Sequence, residues 1–124
     1  YRGELPPLGK VSTLSNYRFA LCFENTAFPG YVTEKIFDCF AAGCIPVYLG
    51  APDITSLIPA GTFIDARDFS DLAGLESFIR ALGPEAAREY VVAATDFMSS
   101  KGAETFSQAH FVREMADVLL QAVR

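Results

Sequence analysis

Two short apolar runs separated by one helix-length segment constrain the fold of this chain more than any other feature. Residues 18–23, RFALCF, and residues 45–50, IPVYLG, are nearly all apolar and lack the alternation of a strand with one wet face. Such runs are typical of strands that are covered on both faces in a parallel sheet. Between them, residues 33–42 place apolar side chains on one side of a helix, and Gly43 is suited to end it. Strand, helix and strand predict a right-handed βαβ unit.

The rest of the chain continues this alternation. We predict a loop with a short helical turn over residues 51–61, a third strand over 62–66, and helices over 72–82 and about 85–98. After a polar break, SSKGAE, a last helix is predicted with these apolar residues on one side: Phe111, Met115, Val118, Leu119 and Ala122. The expected fold class is α/β, a sheet of about three or four parallel strands with C-terminal helices.

Composition limits the classes of function. With 124 residues, 51% hydrophobic and 20% charged, residues 1–124 are expected to form a single domain. The formal net charge of −5 argues against a broad attraction to nucleic acid, so no nucleic-acid partner is expected. No apolar stretch approaches the ~20 residues that span a bilayer.

The cysteine and histidine content predicts no metal site. Cys22, Cys39 and Cys44 form no CxxC pair, and their odd number argues against a disulfide framework. Buried free thiols in a reducing compartment are the expectation. His110 has no partner residues that suggest chemistry, and no role is assigned to it.

The polar segment FENTAFPGYVTEK, residues 23–35, lies where the first strand ends and the next helix begins. Ligands of open α/β sheets bind in this crevice, and helix N-termini attract anions. Lys35 opposes the helix dipole, which predicts either a pair with Glu34 or a bound phosphate. Asn25 offers a donor and an acceptor, and Glu34 offers acceptors for sugar hydroxyls. We therefore expect a nucleotide or sugar nucleotide, although the glycine-rich dinucleotide fingerprint and the P-loop are absent from the sequence.

Residues 17–52, YRFALCFENTAFPGYVTEKIFDCFAAGCIPVYLGAP, resemble the signature region of the α-1,3/α-1,4-fucosyltransferases, glycosyltransferase family ten. The resemblance continues to residue 82 and is looser elsewhere. It implies a GT-B architecture of two Rossmann-like domains, of which this chain is the C-terminal, GDP-fucose-binding half. It also implies an inverting transfer of fucose to a GlcNAc-type or glucose hydroxyl of a glycan, with no cofactor besides the donor substrate.

The family's functional residues carry over onto four positions of this chain. Asn25, Tyr31, Glu34 and Lys35 match residues that contact the donor. Of these, Glu34 is suited to the ribose hydroxyls and Lys35 to the diphosphate, where its charge would stabilise the leaving group. In the family, the general base belongs to an N-terminal acceptor domain that is absent from this chain, so the isolated chain is expected to be inactive.

The chain is more similar to the bacterial members than to the animal Golgi enzymes. This similarity implies a cytoplasmic enzyme of lipopolysaccharide or capsule synthesis, with peripheral association of the full-length protein at the inner membrane face. Two alternatives stay open. One is a nucleotide-sugar-binding module without catalysis, and the other is a GT-B transferase that uses another nucleotide sugar.

Two further polar groups are interpreted structurally. Thr33 is expected to cap the helix rather than contact the ligand, because Thr is a preferred N-cap residue. Asp65, Arg67 and Asp68 follow the third predicted strand, where a turn network is favoured over a contact with guanine.

Overall fold

A computed structural model of the chain describes residues 7–106 and 120–121, and these residues form one parallel sheet with helices packed on it. The elements are α1 (Pro7–Leu14), β1 (Phe19–Phe23), α2 (Glu34–Ala42), β2 (Ile45–Leu49), α3 (Ile54–Leu57), β3 (Ile64–Asp65), α4 (Leu72–Ala81), α5 (Pro84–Met98) and α6 (Lys101–Glu104). Short 3₁₀ turns, Ala60–Thr62 and Ala66–Asp68, flank β3.

The three strands are parallel and lie in the order β1-β2-β3. Phe19 lies opposite Ile45, and Phe23 lies opposite Leu49, so β1 and β2 are paired along their whole length. The predicted βαβ unit is confirmed. Because both strands end at the same edge of the sheet, the residues that follow them become neighbours.

The two faces of the sheet bury separate apolar clusters. On one face, Cys22 and Tyr48 pack with residues of α2 and with Phe97 of α5. On the other face, Ile45 and Val47 pack with residues that include members of β3, α4 and α5. Coverage on both faces explains the apolar run of β2, whose residues Ile45–Tyr48 are buried. For β1 the expected double coverage is wrong, because β1 lies at the edge of the sheet and Leu21 is 71% exposed.

Helix α2 ends as its sequence predicts. Gly43 adopts the left-handed region with φ +71°, its N–H donates to the Phe40 carbonyl at 3.2 Å, and the Cys44 N–H donates to the Cys39 carbonyl at 3.0 Å. These two bonds form a Schellman motif, which needs a residue that tolerates positive φ. The stop turns the chain directly into β2.

Several predicted boundaries differ from the structure. The strand predicted over residues 62–66 is only Ile64–Asp65, because the Thr62 N–H and hydroxyl both bond the Pro59 carbonyl, at 3.1 and 2.7 Å, and hold that residue in a 3₁₀ turn. The predicted polar break contains α6. The helix predicted from Phe111 to Ala122, like His110, falls almost entirely outside the described residues, which resume only at 120–121.

The cysteines are free and buried, as expected: Cys22, Cys39 and Cys44. Within residues 7–106 and 120–121, no group of three or more His, Cys, Asp or Glu side chains is arranged to hold a metal ion. No helix in that part of the chain is both long enough and apolar enough to cross a bilayer.

Candidate functional site

The connection from β1 to α2 forms a polar edge at the carboxyl end of the sheet. The Glu24 N–H donates to the Leu49 carbonyl at 2.8 Å, which keeps the chains together just beyond both strands. The four residues carried over from the family lie along this connection and in the first turn of α2: Asn25, Tyr31, Glu34 and Lys35. Asn25 is exposed, and Tyr31 and Lys35 are half-buried.

Glu24 fastens the start of α2 to the end of β1. Its Oε2 accepts from the Thr33 N–H at 3.1 Å, and its Oε1 accepts from the Thr33 hydroxyl at 2.8 Å. Thr33 occupies the N-cap position as predicted, but its side chain makes no capping bond to the helix. The prediction that this hydroxyl caps α2 is therefore wrong, because the bond that it donates to the Glu24 carboxylate orients the side chain toward Glu24 and its oxygen accepts from no N–H of the helix. As a result, Thr33 leaves the N–H groups of the first turn free to meet an external acceptor.

Lys35 lies in the first turn of α2 without an acidic partner. Its Nζ approaches the Thr33 hydroxyl oxygen at 3.5 Å. Among the described residues, no carboxylate oxygen lies within 4.0 Å of this Nζ, which is the distance limit for an ion pair. The pairing of Lys35 with Glu34, which the sequence left open, is not formed. Lys35 and the positive end of α2 therefore lie at the same edge, and neither of the nearby carboxylates, Glu24 and Glu34, forms an ion pair with the lysine.

Gly50 lies against the side chain of Glu24 and the hydroxyl group of Tyr48. A Cβ atom on Gly50 would overlap Glu24 Cγ and would lie 2.7 Å from Tyr48 Oη. Tyr48 is buried, its hydroxyl oxygen accepts from the Ala51 N–H at 3.1 Å, and burial raises the pKa of the phenol. The absence of a side chain at position 50 thus leaves room for the carboxylate that holds Thr33.

Sequence reasoning assigned no role to Glu24 or Gly50. A signal was present, because an acid and a glycine each follow directly after a strand at the same edge of a parallel sheet. That signal becomes meaningful only once the strand register places the two residues side by side.

The predicted turn network after β3 is confirmed for Asp65 and Arg67. The Arg67 guanidinium donates to the Asp65 carboxylate at 2.7 and 3.0 Å, and the Arg67 N–H donates to it at 3.0 Å. This guanidinium lowers the pKa of Asp65. Arg67 Nη1 also donates to the Pro52 carbonyl at 2.9 Å, so the network ties β3 to the loop after β2.

A separate depression of about 300 Å³ lies between α3 and the turn after α5. Its lining consists of residues without ionisable side chains, including Thr55, Pro59 and Phe97. Such a surface offers no charge for an anionic ligand. The candidate site therefore remains the polar edge at the β1–α2 connection.

Comparisons with known proteins agree on one family. The family described as glycosyltransferase family 10 (fucosyltransferase), C-terminal part, matches residues 4–109. An α-(1,4)-fucosyltransferase of Arabidopsis thaliana is 38% identical over 79 residues, which are 62% of this chain and 20% of that protein. The α-(1,3)-fucosyltransferase FucT of Helicobacter pylori is 41% identical over 73 residues, 59% of this chain and 15% of that protein.

A solved structure also resembles this chain. The crystal structure of an α1,3-fucosyltransferase with GDP-fucose superposes with a TM-score of 0.65 and 33% identity, over 73% of this chain and 27% of that protein. The chain therefore matches between 15% and 27% of the length of these proteins.

Proposed function

The chain belongs to the glycosyltransferase family 10 fucosyltransferases, and we propose that it is the part of such an enzyme that binds the donor, GDP-fucose. In this proposal, residues 1–124 form a single donor-binding domain of a GT-B enzyme. The full enzyme transfers fucose with inversion to a GlcNAc-type or glucose hydroxyl of a glycan. No cofactor besides the donor is part of the proposal.

The observation that carries the proposal is the ammonium group of Lys35, which lies in the first turn of α2 and forms no ion pair with a described carboxylate. Lys35 has no carboxylate within 4.0 Å among the described residues, and Thr33 does not cap the helix. A diphosphate supplies the missing negative charge and accepts from free helix N–H groups. The crystal structure of a similar fucosyltransferase with GDP-fucose supports this choice of ligand.

Each candidate residue has a distinct task in this site. Lys35 binds the diphosphate and stabilises the charge that develops on GDP as it leaves. Glu34, exposed at the first position of α2, accepts from the ribose hydroxyls. Asn25 and Tyr31 complete the contacts with the donor from the connection that precedes the helix.

The reaction needs one group that this chain does not supply. The acceptor hydroxyl attacks the anomeric carbon of fucose as the bond to the GDP oxygen breaks, and a general base removes the hydroxyl proton. We place that base in an N-terminal acceptor domain. The exposure of Asn25 and Glu34 at the polar edge supports a site that a second domain completes, since ligand sites often lie between domains.

Calorimetric titration of GDP, guanosine and UDP tests the proposal. Lys35→Ala should weaken GDP binding by about 1.5–3 kcal/mol, the range for a hydrogen bond to a charged group, and should leave guanosine almost unaffected. Glu34→Ala should weaken GDP and guanosine alike, because both carry the ribose hydroxyls. Lys101→Ala is the matched control, because Lys101 is an exposed lysine on α6.

The same titrations separate the alternatives. Unchanged GDP affinity in both Lys35→Ala and Glu34→Ala would contradict the site. Equal affinity of the wild type for GDP and UDP would favour a transferase that uses another nucleotide sugar. If an open reading frame that contains this chain encoded no further domain, the module without catalysis would be favoured.

A further inference from the structure

The carboxylate of Asp53 holds the turn that carries Tyr31, and we propose that Asp53 is a positioning residue for the nucleotide site. The inference rests on the proposed function, because only that function places Tyr31 at the donor. Asp53 lies in the loop after β2, and sequence reasoning gave it no role.

The segment before Tyr31 folds into one defined turn. The Tyr31 N–H donates to the Phe28 carbonyl at 3.1 Å, and Gly30 has φ +79°. Pro29 at the second position and Gly30 with positive φ at the third are typical of a type II turn. The rings of Phe28 and Tyr31 pack with centroids 4.8 Å apart, so the direction of the tyrosine ring follows from the shape of the turn.

Asp53 selects this shape of the turn. Its Oδ1 accepts from the Gly30 N–H at 2.9 Å. That N–H belongs to the central peptide of the turn, the unit whose orientation distinguishes a type II turn from a type I turn. A bond from an N–H to a carboxylate is charge-assisted and stronger than a neutral one. The carboxylate therefore stabilises the type II form, because it supplies an acceptor for the N–H of the central peptide in that orientation.

The side chain of Asp53 bonds the Gly30 N–H and does not cap α3. Asp53 occupies the N-cap position of α3, yet its side chain makes no capping bond. Its carbonyl accepts from the Ser56 N–H at 3.0 Å and from the Ser56 hydroxyl at 2.7 Å, which fixes the backbone. The preceding carbonyl, of Pro52, accepts from Arg67. The carboxylate thus projects from a loop that is anchored on both sides.

Two carboxylates from the sheet edge therefore hold the β1–α2 connection at two points. Glu24 holds Thr33, and Asp53 holds Gly30. Tyr31 lies between these points. The bonds of Glu24 and Asp53 therefore help to set the position of Tyr31 relative to Lys35, in addition to the contacts that Tyr31 makes with Phe28.

The test compares Asp53→Ala, Asp53→Ser and Asp53→Asn with wild type. The Ala variant removes the acceptor. The Ser variant is too short to reach Gly30 but can cap α3, so it tests whether a loss of binding comes from a loss of folding. Asn keeps an acceptor oxygen. Glu89→Ala, an exposed acid on α5, is the matched control. The readouts are the exchange rate of the Gly30 amide by NMR, the thermal melt, and the Kd for GDP.

We expect faster exchange of the Gly30 amide and about tenfold weaker GDP binding in the Ala and Ser variants, the order of one charge-assisted bond. Asn and the control should stay near wild type. Because Asp53 acts through Tyr31, adding Asp53→Ala to Tyr31→Ala should weaken binding no further.

Four results would overturn the inference. An unchanged exchange rate of the Gly30 amide in the Ala and Ser variants would show that Asp53 does not hold the turn. Normal GDP affinity of these variants, together with weak binding by Tyr31→Ala, would overturn the inference and leave the proposed site intact. Additive losses of GDP affinity in the double variant would do the same. Normal binding by Tyr31→Ala would remove both the inference and the Tyr31 contact in the proposed function.

Discussion

Glu24 accepts two hydrogen bonds from Thr33, one from the backbone N–H at 3.1 Å and one from the hydroxyl at 2.8 Å. The residue at the N-cap of α2 is therefore held by the strand that precedes it and not by its own helix. This relationship fixes where the first turn of α2 points, and the first turn carries Glu34 and Lys35.

Thr33→Val should lower the free energy of unfolding by about 1 kcal/mol, because Val keeps the shape of Thr and leaves Glu24 Oε1 without its donor. Thr33→Ser keeps the hydroxyl and should stay within about 0.5 kcal/mol of wild type. Urea unfolding of the three proteins measures the difference. Equal stability of the Val and Ser variants would show that the hydroxyl bond contributes nothing.

Gly50→Ala should destabilise the protein by about 1–3 kcal/mol, the usual cost of overpacking. The new Cβ would lie 2.8 Å from Glu24 Cβ and 2.7 Å from Tyr48 Oη, and the Tyr48 side chain is buried among packed residues that oppose its movement. Gly61→Ala is the matched control, since a Cβ there meets nothing within 4 Å. Thermal melts check both variants, and a shift of equal size in the two would refute the steric account.

The Asp65–Arg67 pair should make stability depend on acid pH. Arg67 lowers the pKa of Asp65 below its unfolded value of about 3.9, so the pair stabilises the fold above that value and loses its effect as the pH falls through the lower folded pKa. Asp65→Asn should therefore be less stable than wild type at pH 7, by less than about 1 kcal/mol for a partly exposed pair. The two proteins should converge near pH 2. A difference that persists unchanged at pH 2 would rule out the ionised pair as its cause.

The cysteines should resist alkylation while the chain is folded. Burial raises the pKa of Cys44 to about 11, and a hydrogen bond with Cys39 together with burial raises that of Cys22. Few thiolates of Cys22 and Cys44 are then present at pH 7.5. The pKa of Cys39 is instead lowered by its hydrogen bond with Cys22, so the protection of Cys39 comes from its burial, with 3% of the residue exposed. Mass spectrometry after iodoacetamide treatment should show no labelling in buffer and three labels in urea. Rapid labelling of the folded protein would mean that the free energy of opening the core is low.

The order of elements from residue 18 to residue 49 was predictable because each of its signals is local. Continuous apolar runs mark β1 and β2, and Gly43 marks the end of α2, where the structure shows positive φ. The short β3 was not predictable in its length. The bonds of Thr62 to Pro59 compete there with strand pairing, and the apolar pattern alone does not reveal them.

The location of the site was also predictable, because the edge where parallel strands end is a general ligand position. The contacts that shape it were not. Glu24 and Thr33 are nine residues apart, and Gly30 and Asp53 are 23 apart. Such pairs meet only after the register of β1 and β2 is set, and helix or strand periodicity carries no information about them.

The close approach of Gly50 to Glu24 bears on how this site is inherited. The residues assigned to the donor lie within one short stretch, so recombination between homologous genes could exchange that stretch as a block. A host chain with any side chain at position 50 would, however, force Glu24 out of its place and release Thr33. The smallest block that moves the site intact therefore runs from the end of β1 through Asp53, and a chimera whose crossover separates Glu24 from position 50 should keep its stability only where the host also carries glycine there.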